Sequence, residues 1–408
     1  MRVAMVVADP GVAVGGRKGA SVHLEEMARA FLGQGGEVFL AATRVERPLE
    51  GIEAREIALD ADADGVLRDL PEGEREGPSR TVGAELAAIY RDRVFEEALL
   101  VAHRRASLDL VYERQSLFSL AGLRAARRLG IPFGLEVNSP LPEEQARWRG
   151  LALEALACAI ERRLLREADG VFCVSSFLRD RAVRLGAAPA RVRVVPNGID
   201  PRQFHPGVAG EAARRRLGLD GAFVVGFCGA LRPWHGVEFL LEAFGRFVRT
   251  EPAARLLVVG DGPTRARLES SARETLPPGS AIFCGWVPRE EVPAHLAACD
   301  VVASPHPPIE PFYFSPLKIV EAMAVGRVVL APDLPAIREI ARDGETAVLY
   351  RAADPEDFLG RLGALRASEA ERRRIGERAA REVLAQRTWA QNAAGVLEAL
   401  GRVREAVR

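Results

Sequence analysis

A lysine and a glutamate lie within "FSPLKIVEAMAVG" (residues 314–326), a segment whose other members are nearly all small or apolar. Ser315 as N-cap and Pro316 as first helical residue predict that a helix begins here. Lys318 then lies in the first turn, where exposed amides disfavour a cation unless an anion binds beside it. Glu321 follows on the same face within a run predicted to be buried, where a carboxylate needs partners. The two side chains therefore indicate either an anion site or a mutual ion pair on a solvated edge.

A glycine-rich loop, "GVAVGGRKGAS" (residues 11–21), follows the first apolar run and leads into an amphipathic pattern. Gly15 and Gly16 allow the backbone to approach a ligand closely, and amides at the start of the following helix can hold an anion. We interpret Gly15, Gly16 and Lys18 as ligand-binding residues. A merely flexible turn remains the alternative.

A second loop, "CGALRPWHG" (residues 228–236), places residues that bind phosphate after an apolar strand. Arg232 can donate to two phosphate oxygens at once, and His235 can donate to one. Gly229 is assigned to the same ligand-binding loop. The neighbouring Trp234 indicates an ordered loop, which favours this interpretation over a solvated surface arginine.

A third loop, "VVGDGPTRARL" (residues 258–268), has the same order of strand, glycine turn and helix. Gly260, Asp261 and Gly262 resemble the start of a dinucleotide fingerprint, but its third glycine is missing and no acidic residue ends the next strand. A nicotinamide-dependent oxidoreductase is therefore disfavoured. With the helix at Lys318, the second half of the chain has three turns suited to phosphate, for which a nucleoside diphosphate is the natural common ligand.

Short β-branched runs alternate along the chain with longer amphipathic ones, which is typical of parallel sheets with helices on both faces. Strands are predicted at 2–8, 37–42, 53–58, 109–113, 132–137, 171–175, 192–195, 222–228, 255–260, 281–284, 301–304, 328–331 and 347–350. We therefore predict an α/β fold with two doubly wound, Rossmann-like domains facing each other across a ligand-binding cleft. Residues 1–193 form the first domain, residues 194–375 the second, and residues 376–408 are predicted helices that cross back onto the first.

The composition excludes several classes of function. Lys plus Arg and Asp plus Glu both number 56, so no net charge favours nucleic acid as a partner. The five cysteines are scattered without a CxxC pair, which indicates reduced core thiols in a cytosolic protein. No window of about 20 apolar residues could span a bilayer.

Any membrane contact is therefore expected to be peripheral, at the inner face of the membrane. The arginines considered for such a basic patch on the first domain are Arg124, Arg127, Arg128, Arg162 and Arg163. Solvated helix faces explain these residues equally well.

The acidic stretch "DADADG" (residues 60–65) resembles the start of a calcium loop. Its twelfth position would be Pro71, which cannot supply the bidentate carboxylate that such a loop needs. We interpret the stretch as a solvated acidic turn and assign no metal.

Five motifs in the second half occur in the order seen in retaining glycosyltransferases of family 4, which have the GT-B fold. They are "VVPNGIDPRQFHP", "GFCGALRPWHGVEFLLEAF", "LLVVGDGP", "IFCGWVPREEVPAHLAACDVVASP" and "SPLKIVEAMAVGRVVLAPDLPAIREI". The N-terminal "GGRKGASVHLEEMARAF" and "VSSFLRDRAVRLG" are similar to the same family. The resemblance implies transfer of a sugar from a nucleoside diphosphate, UDP- or GDP-linked, to a hydroxyl acceptor with retained configuration and generally without a metal. The nucleotide sugar would be a co-substrate, and no cofactor is expected.

The resemblance also implies roles for residues of the second domain. Glu321 corresponds to the glutamate that takes the ribose hydroxyls. Lys318 and the amides near Ser315 and Leu317 would face the diphosphate or the sugar.

Further contacts would come from both domains. Asp261 and the turn around Trp286 and Val287 would flank the base. Gly15 and Gly16 would close over the phosphates from the first domain.

Two departures from the family pattern affect this site. The family's first glutamate is replaced by Tyr313, with Glu310 nearby, and "FYFSPLK" resembles a variant branch with an SPLK motif. In the phosphate loop Ala230 replaces the usual arginine and His235 the usual lysine, so we hypothesise that Arg232 takes over the charge.

The histidine often found in the acceptor domain of the family is also missing. The matching loop is "LEVNSP", which offers Glu136 and Asn138 instead. Either could orient the acceptor, and a structural asparagine in a turn is the alternative.

Sugar transfer leaves extra negative charge on the diphosphate, so we expect Arg232, Lys318 and Gly16 to stabilise it. The departing phosphate oxygen can accept the proton of the acceptor hydroxyl. Such an enzyme would act in the synthesis of glycans, glycolipids or glycosylated metabolites. Two alternatives stay open: a non-hydrolysing sugar-nucleotide epimerase on the same fold, and a non-catalytic member that only binds nucleotide sugars.

Overall fold

The computed structural model describes residues 1–59 and 78–407. Two compact α/β units make up the chain. The first consists of Met1–Pro196 and Trp389–Arg408, and the second consists of Asn197–Thr388.

The first unit is built on a seven-stranded parallel sheet. Its strands are β1 (Arg2–Val7), β2 (Glu37–Ala42), β3 (Glu53–Glu56), β4 (Leu110–Arg114), β5 (Phe133–Val137), β6 (Gly170–Cys173) and β7 (Val192–Val194). They lie in the order β3-β2-β1-β4-β5-β6-β7. The helices are α1 (Gly19–Gly33), α2 (Pro78–Arg105), α3 (Ala121–Leu129), α4 (Leu141–Trp148), α5 (Glu154–Glu167), α6 (Ser176–Arg184) and, at the C-terminus, α15 (Trp389–Val407).

The second unit is built on a six-stranded parallel sheet. Its strands are β8 (Phe223–Cys228), β9 (Ala254–Val259), β10 (Ala281–Gly285), β11 (Val301–Ala303), β12 (Val328–Pro332) and β13 (Val348–Tyr350), in the order β10-β9-β8-β11-β12-β13. The helices are α7 (Glu211–Arg216), α8 (Val237–Thr250), α9 (Arg265–Thr275), α10 (Val292–Ala297), α11 (Leu317–Ala324), α12 (Pro335–Arg338), α13 (Pro355–Ala367) and α14 (Glu369–Gln386).

The central strands are buried on both faces, which explains their continuous apolar sequences. All six residues of β8 are buried, as are all five of β12. Parallel strands covered by helices on both sides need such runs rather than an alternating pattern. In each sheet the strand order reverses once, between β1 and β4 and between β8 and β11. Ligands of doubly wound sheets bind at the carboxyl ends of the strands beside such a reversal.

The fold class predicted from the sequence is confirmed. Every predicted strand is present, with bounds that differ by at most about two residues. The segment "DADADG" (residues 60–65) lies outside the described residues. None of the helices described is both long enough and apolar enough to cross a bilayer.

The division into units differs in detail from the predicted domain bounds. The second unit begins at Asn197 instead of residue 194, and it includes residues 376–388, which the sequence analysis assigns to the C-terminal helices. The cause is helix α14, which packs on α11 and β12 of the second unit. A Cβ at Gly376 would lie 2.1 Å from the carbonyl oxygen of Gly326, so the helix approaches that backbone closely.

Candidate functional site

Lys318 lies in the first turn of α11 and is only 8% exposed. Its Nζ lies 4.4 Å from the centre of the Phe227 ring, and it makes no hydrogen bond within the described part of the chain. Burial lowers the pKa of Lys318 to about 7, although Cys228 and Glu321 oppose the decrease. A buried ammonium without an anionic partner is costly. The surroundings of Lys318 therefore favour the binding of an anion.

The start of α11 differs from the predicted cap. The helix begins at Leu317 after Pro316, and no side chain caps it. The predicted N-cap role of Ser315 is wrong, because its Oγ accepts a hydrogen bond from Asn197 N at 3.1 Å and its carbonyl accepts one from Asn197 Nδ2. Among the residues described, the amides of Leu317 and Lys318 have no hydrogen-bond acceptor. They remain available to an anion at the helix N-terminus.

The glycines of two predicted phosphate loops bring their backbones together beside Lys318. A Cβ at Gly260 would lie 2.0 Å from Gly229 O, and one at Gly262 would lie 2.3 Å from Leu231 O. Gly229 and Gly260 have φ angles of 148° and 136°. A Cβ at Gly229 would lie 3.0 Å from Lys318 Nζ. Glycine is required at these positions by conformation and by space, and Gly229 borders the lysine directly.

Two histidines lie close to Lys318, and sequence reasoning missed one of them. The ring of His306 is 5.6 Å from that of the predicted site residue His235, measured between centroids. Burial and the charge of Lys318 lower the pKa values of both imidazoles. His235 Nδ1 is hydrogen-bonded to Ala230 O, and His306 Nδ1 to Ser304 Oγ at 3.1 Å. The available signal for His306 was its position directly after a buried strand.

The loop that carries Arg232 continues into a short 3-10 turn over Pro233–His235. The guanidinium carbon of Arg232 lies 5.7 Å from the centre of the Trp234 ring. No carboxylate among residues 1–59 and 82–403 forms an ion pair with this arginine. Gly236 allows the loop to pack closely against the segment that follows β11, because a Cβ at Gly236 would lie 1.8 Å from Pro305 O. Arg232 thus offers an uncompensated charge to a ligand.

Glu321 is buried, 4% exposed, and accepts a hydrogen bond from Arg289 NH1 at 2.5 Å. The mutual ion pair with Lys318, one of the two sequence-based interpretations, is therefore wrong. Sequence reasoning missed Arg289, although a basic residue following the predicted base-flanking turn was a signal for it. The guanidinium carbon of Arg289 also lies 4.5 Å from the Phe204 ring centre. The contact of Glu321 with ribose stays a prediction.

The other predicted residues of the second unit differ in exposure. Asp261 accepts a hydrogen bond from Gly262 N at 2.7 Å. Trp286 is 43% exposed, and Val287 packs against the core. Tyr313, which replaces the family's first glutamate, is buried, whereas the nearby Glu310 is exposed. The predicted roles of these residues stay predictions.

The predicted loop residues of the first unit have local structural functions. Gly15 has a φ of 70°, and a Cβ at Gly16 would lie 2.7 Å from Ser21 Oγ. Lys18 precedes α1, is exposed, and donates through Nζ to Gly11 O at 3.1 Å. Their contacts with phosphate stay predictions.

Asn138 lies beside a buried carboxylate at the end of β5. Glu136 Oε1 accepts hydrogen bonds from Asn138 Nδ2 at 2.5 Å and Arg114 NH1 at 2.9 Å, and Oε2 accepts one from Tyr112 at 2.6 Å. His23 Nε2 lies 2.9 Å from Oε2. Burial would raise the pKa of Glu136, but these neighbours hold it well below its usual value. Glu136 is thus an internal anchor, and Oδ1 is the atom that Asn138 can offer to a ligand.

The arginines considered for membrane contact are mostly neutralised. The ion pairs are Arg124 with Asp92 and Glu96, Arg127 with Asp169, Arg128 with Glu96, and Arg163 with Glu167. In the part of the chain that is described, no three His, Cys, Asp or Glu side chains are grouped so that they could hold a metal ion.

Two family models match the chain. The model described as "Glycosyltransferase Family 4" covers residues 17–203, and the one described as "Glycosyl transferases group 1" covers residues 222–367. The matches thus extend over both sheets except β1, and over the loops described above except Gly15 and Gly16.

Similar proteins point in the same direction. The D-inositol 3-phosphate glycosyltransferase of Nocardia farcinica is 30% identical over 404 residues, which cover 93% of this chain and 87% of the relative. The GDP-mannose-dependent alpha-mannosyltransferase of Mycobacterium tuberculosis is 32% identical over 265 residues, covering 64% of this chain and 65% of the relative. The solved structure of sucrose-phosphate synthase (tll1590) from Thermosynechococcus elongatus has a TM-score of 0.76 at 19% identity and covers 99% of both chains.

Proposed function

Because this chain belongs to glycosyltransferase family 4 and has the GT-B fold, we propose that its second unit binds a nucleoside diphosphate sugar and that the enzyme transfers the sugar with retained configuration. The hydroxyl acceptor is held by the first unit. The name of the mannosyltransferase relative, which specifies a GDP-linked donor, supports a nucleotide sugar as co-substrate.

The observation that carries this proposal is the buried, unpaired ammonium of Lys318 at an uncapped helix start. Two free amides and the close backbone of Gly229 adjoin the same position. Arg232 and Lys318 both lie near enough to His235 for their charges to lower the pKa of its imidazole. Each of these groups is suited to a phosphate oxygen, and together they match the charge of a diphosphate.

The chemistry follows from the charges at this position. When the bond between the anomeric carbon and the diphosphate breaks, negative charge grows on the phosphate oxygen. Lys318, Arg232 and the amides of α11 stabilise that charge, which lowers the barrier most where the donors are already in place. The oxygen of the acceptor hydroxyl bonds to the anomeric carbon from the face that the diphosphate leaves, which retains the configuration. The leaving phosphate oxygen accepts the proton of that hydroxyl. No protein base is needed for this step.

Asn138 is the residue of the first unit that we assign to the acceptor. Its Nδ2 is held by Glu136, so its Oδ1 is oriented to accept a hydrogen bond from a hydroxyl group. The inositol phosphate named for the Nocardia relative is one hydroxyl-rich acceptor to test.

The proposal is tested with a panel of UDP- and GDP-linked sugars. We expect one donor to raise the melting temperature and to be consumed faster when an acceptor from a panel of polyols, polyol phosphates and glycolipids is added. Analysis of the product by NMR should show the same anomeric configuration as in the donor. Release of a free, altered sugar without acceptor would instead indicate the epimerase. Binding without any turnover across the panels would indicate a non-catalytic member.

A further inference from the structure

Asn197 joins two segments that are far apart in sequence at the start of α11. It is the first residue of the second unit. Its backbone N donates to Ser315 Oγ at 3.1 Å, and its side-chain Nδ2 donates to the carbonyl oxygen of Ser315, across 118 positions of sequence. Ser315 is 9% exposed, so both bonds are shielded from water. Asn197 therefore holds the side chain and the main chain of Ser315 at the same time.

This double contact replaces the usual helix cap. A serine at this place would normally direct its hydroxyl to the first-turn amides, but the Ser315 hydroxyl accepts from Asn197 and α11 has no side-chain cap. The carbonyl of Ser315 is turned towards Asn197 Nδ2, which sets the plane of the peptide that leads into Pro316 and Leu317. The Leu317 and Lys318 amides belong to the next two peptides, so their direction depends on how the peptide between Ser315 and Pro316 is held.

We propose that Asn197 is a positioning residue that aims the amides of Leu317 and Lys318 at the diphosphate of a bound nucleotide. The proposal rests on the donor site proposed above. Asn197 acts through Ser315 and needs no contact with the ligand itself. Its effect should therefore fall on phosphate recognition and spare recognition of the nucleoside.

The sharpest variant is Asn197→Asp, which keeps the size and the backbone donor. The carboxylate cannot donate to the Ser315 carbonyl and repels it, so the peptide before α11 should rotate away from its present direction. The matched control is Asn392→Asp in the first unit. Asn392 Nδ2 donates to the carbonyl of Pro196 at 2.7 Å, a bond of the same kind at a residue adjacent to Asn197.

The experiment measures dissociation constants of the parent protein and both variants for a nucleoside diphosphate and for its nucleoside, UDP with uridine and GDP with guanosine. For Asn197→Asp we expect affinity for the diphosphate to fall about tenfold, as for one lost charge-assisted hydrogen bond. Affinity for the nucleoside should stay within about twofold, since the base and ribose contacts are unaffected. For Asn392→Asp, the ratio of the dissociation constant for the diphosphate to that for the nucleoside should equal the ratio in the parent.

An equal loss for both ligands, or an unchanged affinity for the diphosphate, would overturn the inference. If Asn197→Asp does not fold, Ser315→Ala serves as the second variant, because it removes only the Oγ acceptor. It should weaken binding of the diphosphate by a few-fold and leave binding of the nucleoside unchanged. An unchanged ratio of the two dissociation constants in Ser315→Ala would also overturn the inference. A parent protein that binds neither diphosphate overturns the proposed donor site, and the inference with it. Binding by the parent together with an insensitive Asn197→Asp overturns the inference alone.

Discussion

Lys318 shows at the scale of one residue how the proposed donor site would be maintained at a cost in stability. The chain has only two lysines, Lys18 and Lys318, although it has 56 basic residues in all. One of them is exposed, and the other is buried without an anionic partner. A buried cation is retained against its desolvation cost when a ligand supplies the missing charge.

Lys318→Met should stabilise the free protein and abolish its response to nucleoside diphosphate. Burial lowers the pKa of Lys318 from 10.5 to about 7. Near neutral pH the unfolded chain therefore holds this proton more tightly than the folded chain, which opposes folding by on the order of 2 to 4 kcal/mol. Methionine fills a similar volume without that charge. Chemical denaturation with and without the diphosphate measures both effects. Lys18→Met is the control and should change stability by less than about 0.5 kcal/mol, and a destabilised Lys318→Met would contradict this account.

The affinity for nucleoside diphosphate should fall as pH rises through about 7. The free protein loses the Lys318 proton near that pH, while the phosphate requires the ammonium form and raises its pKa again. The decrease should approach tenfold per pH unit at higher pH. Calorimetric titration across pH 6 to 9 measures the affinity, and the 13Cε signal that Lys318→Met removes reports the titration directly. A pH-independent affinity in the parent would refute the coupling.

The stability of the free protein should change in the opposite direction over that range. The unfolded chain binds the Lys318 proton up to about pH 10.5, whereas the folded chain loses it near 7. The contribution of this group to stability therefore increases as pH rises from 7 to 10.5. Thus the same lysine favours folding and disfavours ligand binding at alkaline pH.

At the scale of elements, the site depends on loops that connect strands of the second sheet. The loops after β8 and β9 touch backbone to backbone, and Gly260 N donates to Gly285 O at 2.8 Å at the end of β10. These contacts place three strand ends and the start of α11 close together without large side chains. Room is left for a ligand that approaches the backbone.

Gly260→Ala should destabilise the protein by about 3 kcal/mol and weaken nucleotide binding. Its φ of 136° is strained for alanine, and the added Cβ would lie 2.0 Å from Gly229 O. Gly363→Ala on α13 is the matched control, because a Cβ there meets nothing within 4 Å. The control should stabilise the helix by about 0.5 to 1 kcal/mol. Thermal unfolding compares the two, and similar values for both would show that the loop contact has no energetic role.

A buried carboxylate in β4 should make the first unit less stable as pH rises. Burial raises the pKa of Glu113 from 4.5 to about 7, and the charge of Asp92 adds to the rise. Three groups oppose it: the Ser119 hydroxyl, which donates to Glu113 at 2.5 Å, the Gly122 amide, and Arg124. The folded state then binds this proton more tightly than the unfolded state. Stability is lost between pH 4.5 and 7, by up to about 3 kcal/mol.

Glu113→Gln is expected to remove this part of the pH dependence, because the amide keeps the shape and does not ionise. Urea unfolding at pH 5 and pH 7.5 provides the comparison. Glu53→Gln on the exposed edge strand β3 is the control and should leave the difference between the two pH values as it is in the parent. A parent whose stability rises over this interval, with Glu113→Gln unchanged, would contradict the assignment.

At the scale of the whole molecule, charge is balanced both in sum and locally. The formal net charge is zero at pH 7. Four of the five arginines of α3 and α5 that suggested a membrane-binding patch form ion pairs with acidic neighbours, at distances such as 2.6 Å for Arg124 and Glu96. An arginine already paired gains little from an anionic lipid.

Binding to anionic vesicles through this face is therefore expected to be weak at physiological salt. Co-sedimentation with phosphatidylglycerol vesicles and with neutral phosphatidylcholine vesicles measures it. Both should retain similarly small amounts of protein. If the anionic vesicles retain the parent protein strongly, and Arg128→Glu abolishes this retention, the hypothesis of peripheral membrane contact through this face would be supported again.

The sequence alone determined the two parallel sheets, the glycine loops and the helix that carries Lys318 and Glu321. These features are encoded locally. The spacing of apolar residues predicts strands and helices, and glycine and other turn residues predict loops, each from a few neighbouring positions. The tertiary structure decided which partners these residues have. Arg289 instead of Lys318 meets Glu321, and Asn197 takes the hydroxyl expected to cap α11.

Such pairings join segments far apart along the chain, and no local pattern specifies them. The pairings form because the folded sheet brings the loops at the ends of different strands next to each other. The same holds for His306, whose neighbours His235 and Lys318 come from another loop and from helix α11. Local chemistry thus predicted an anion site, while the packing of distant segments determined which charged groups are left without a partner among the described residues to form it.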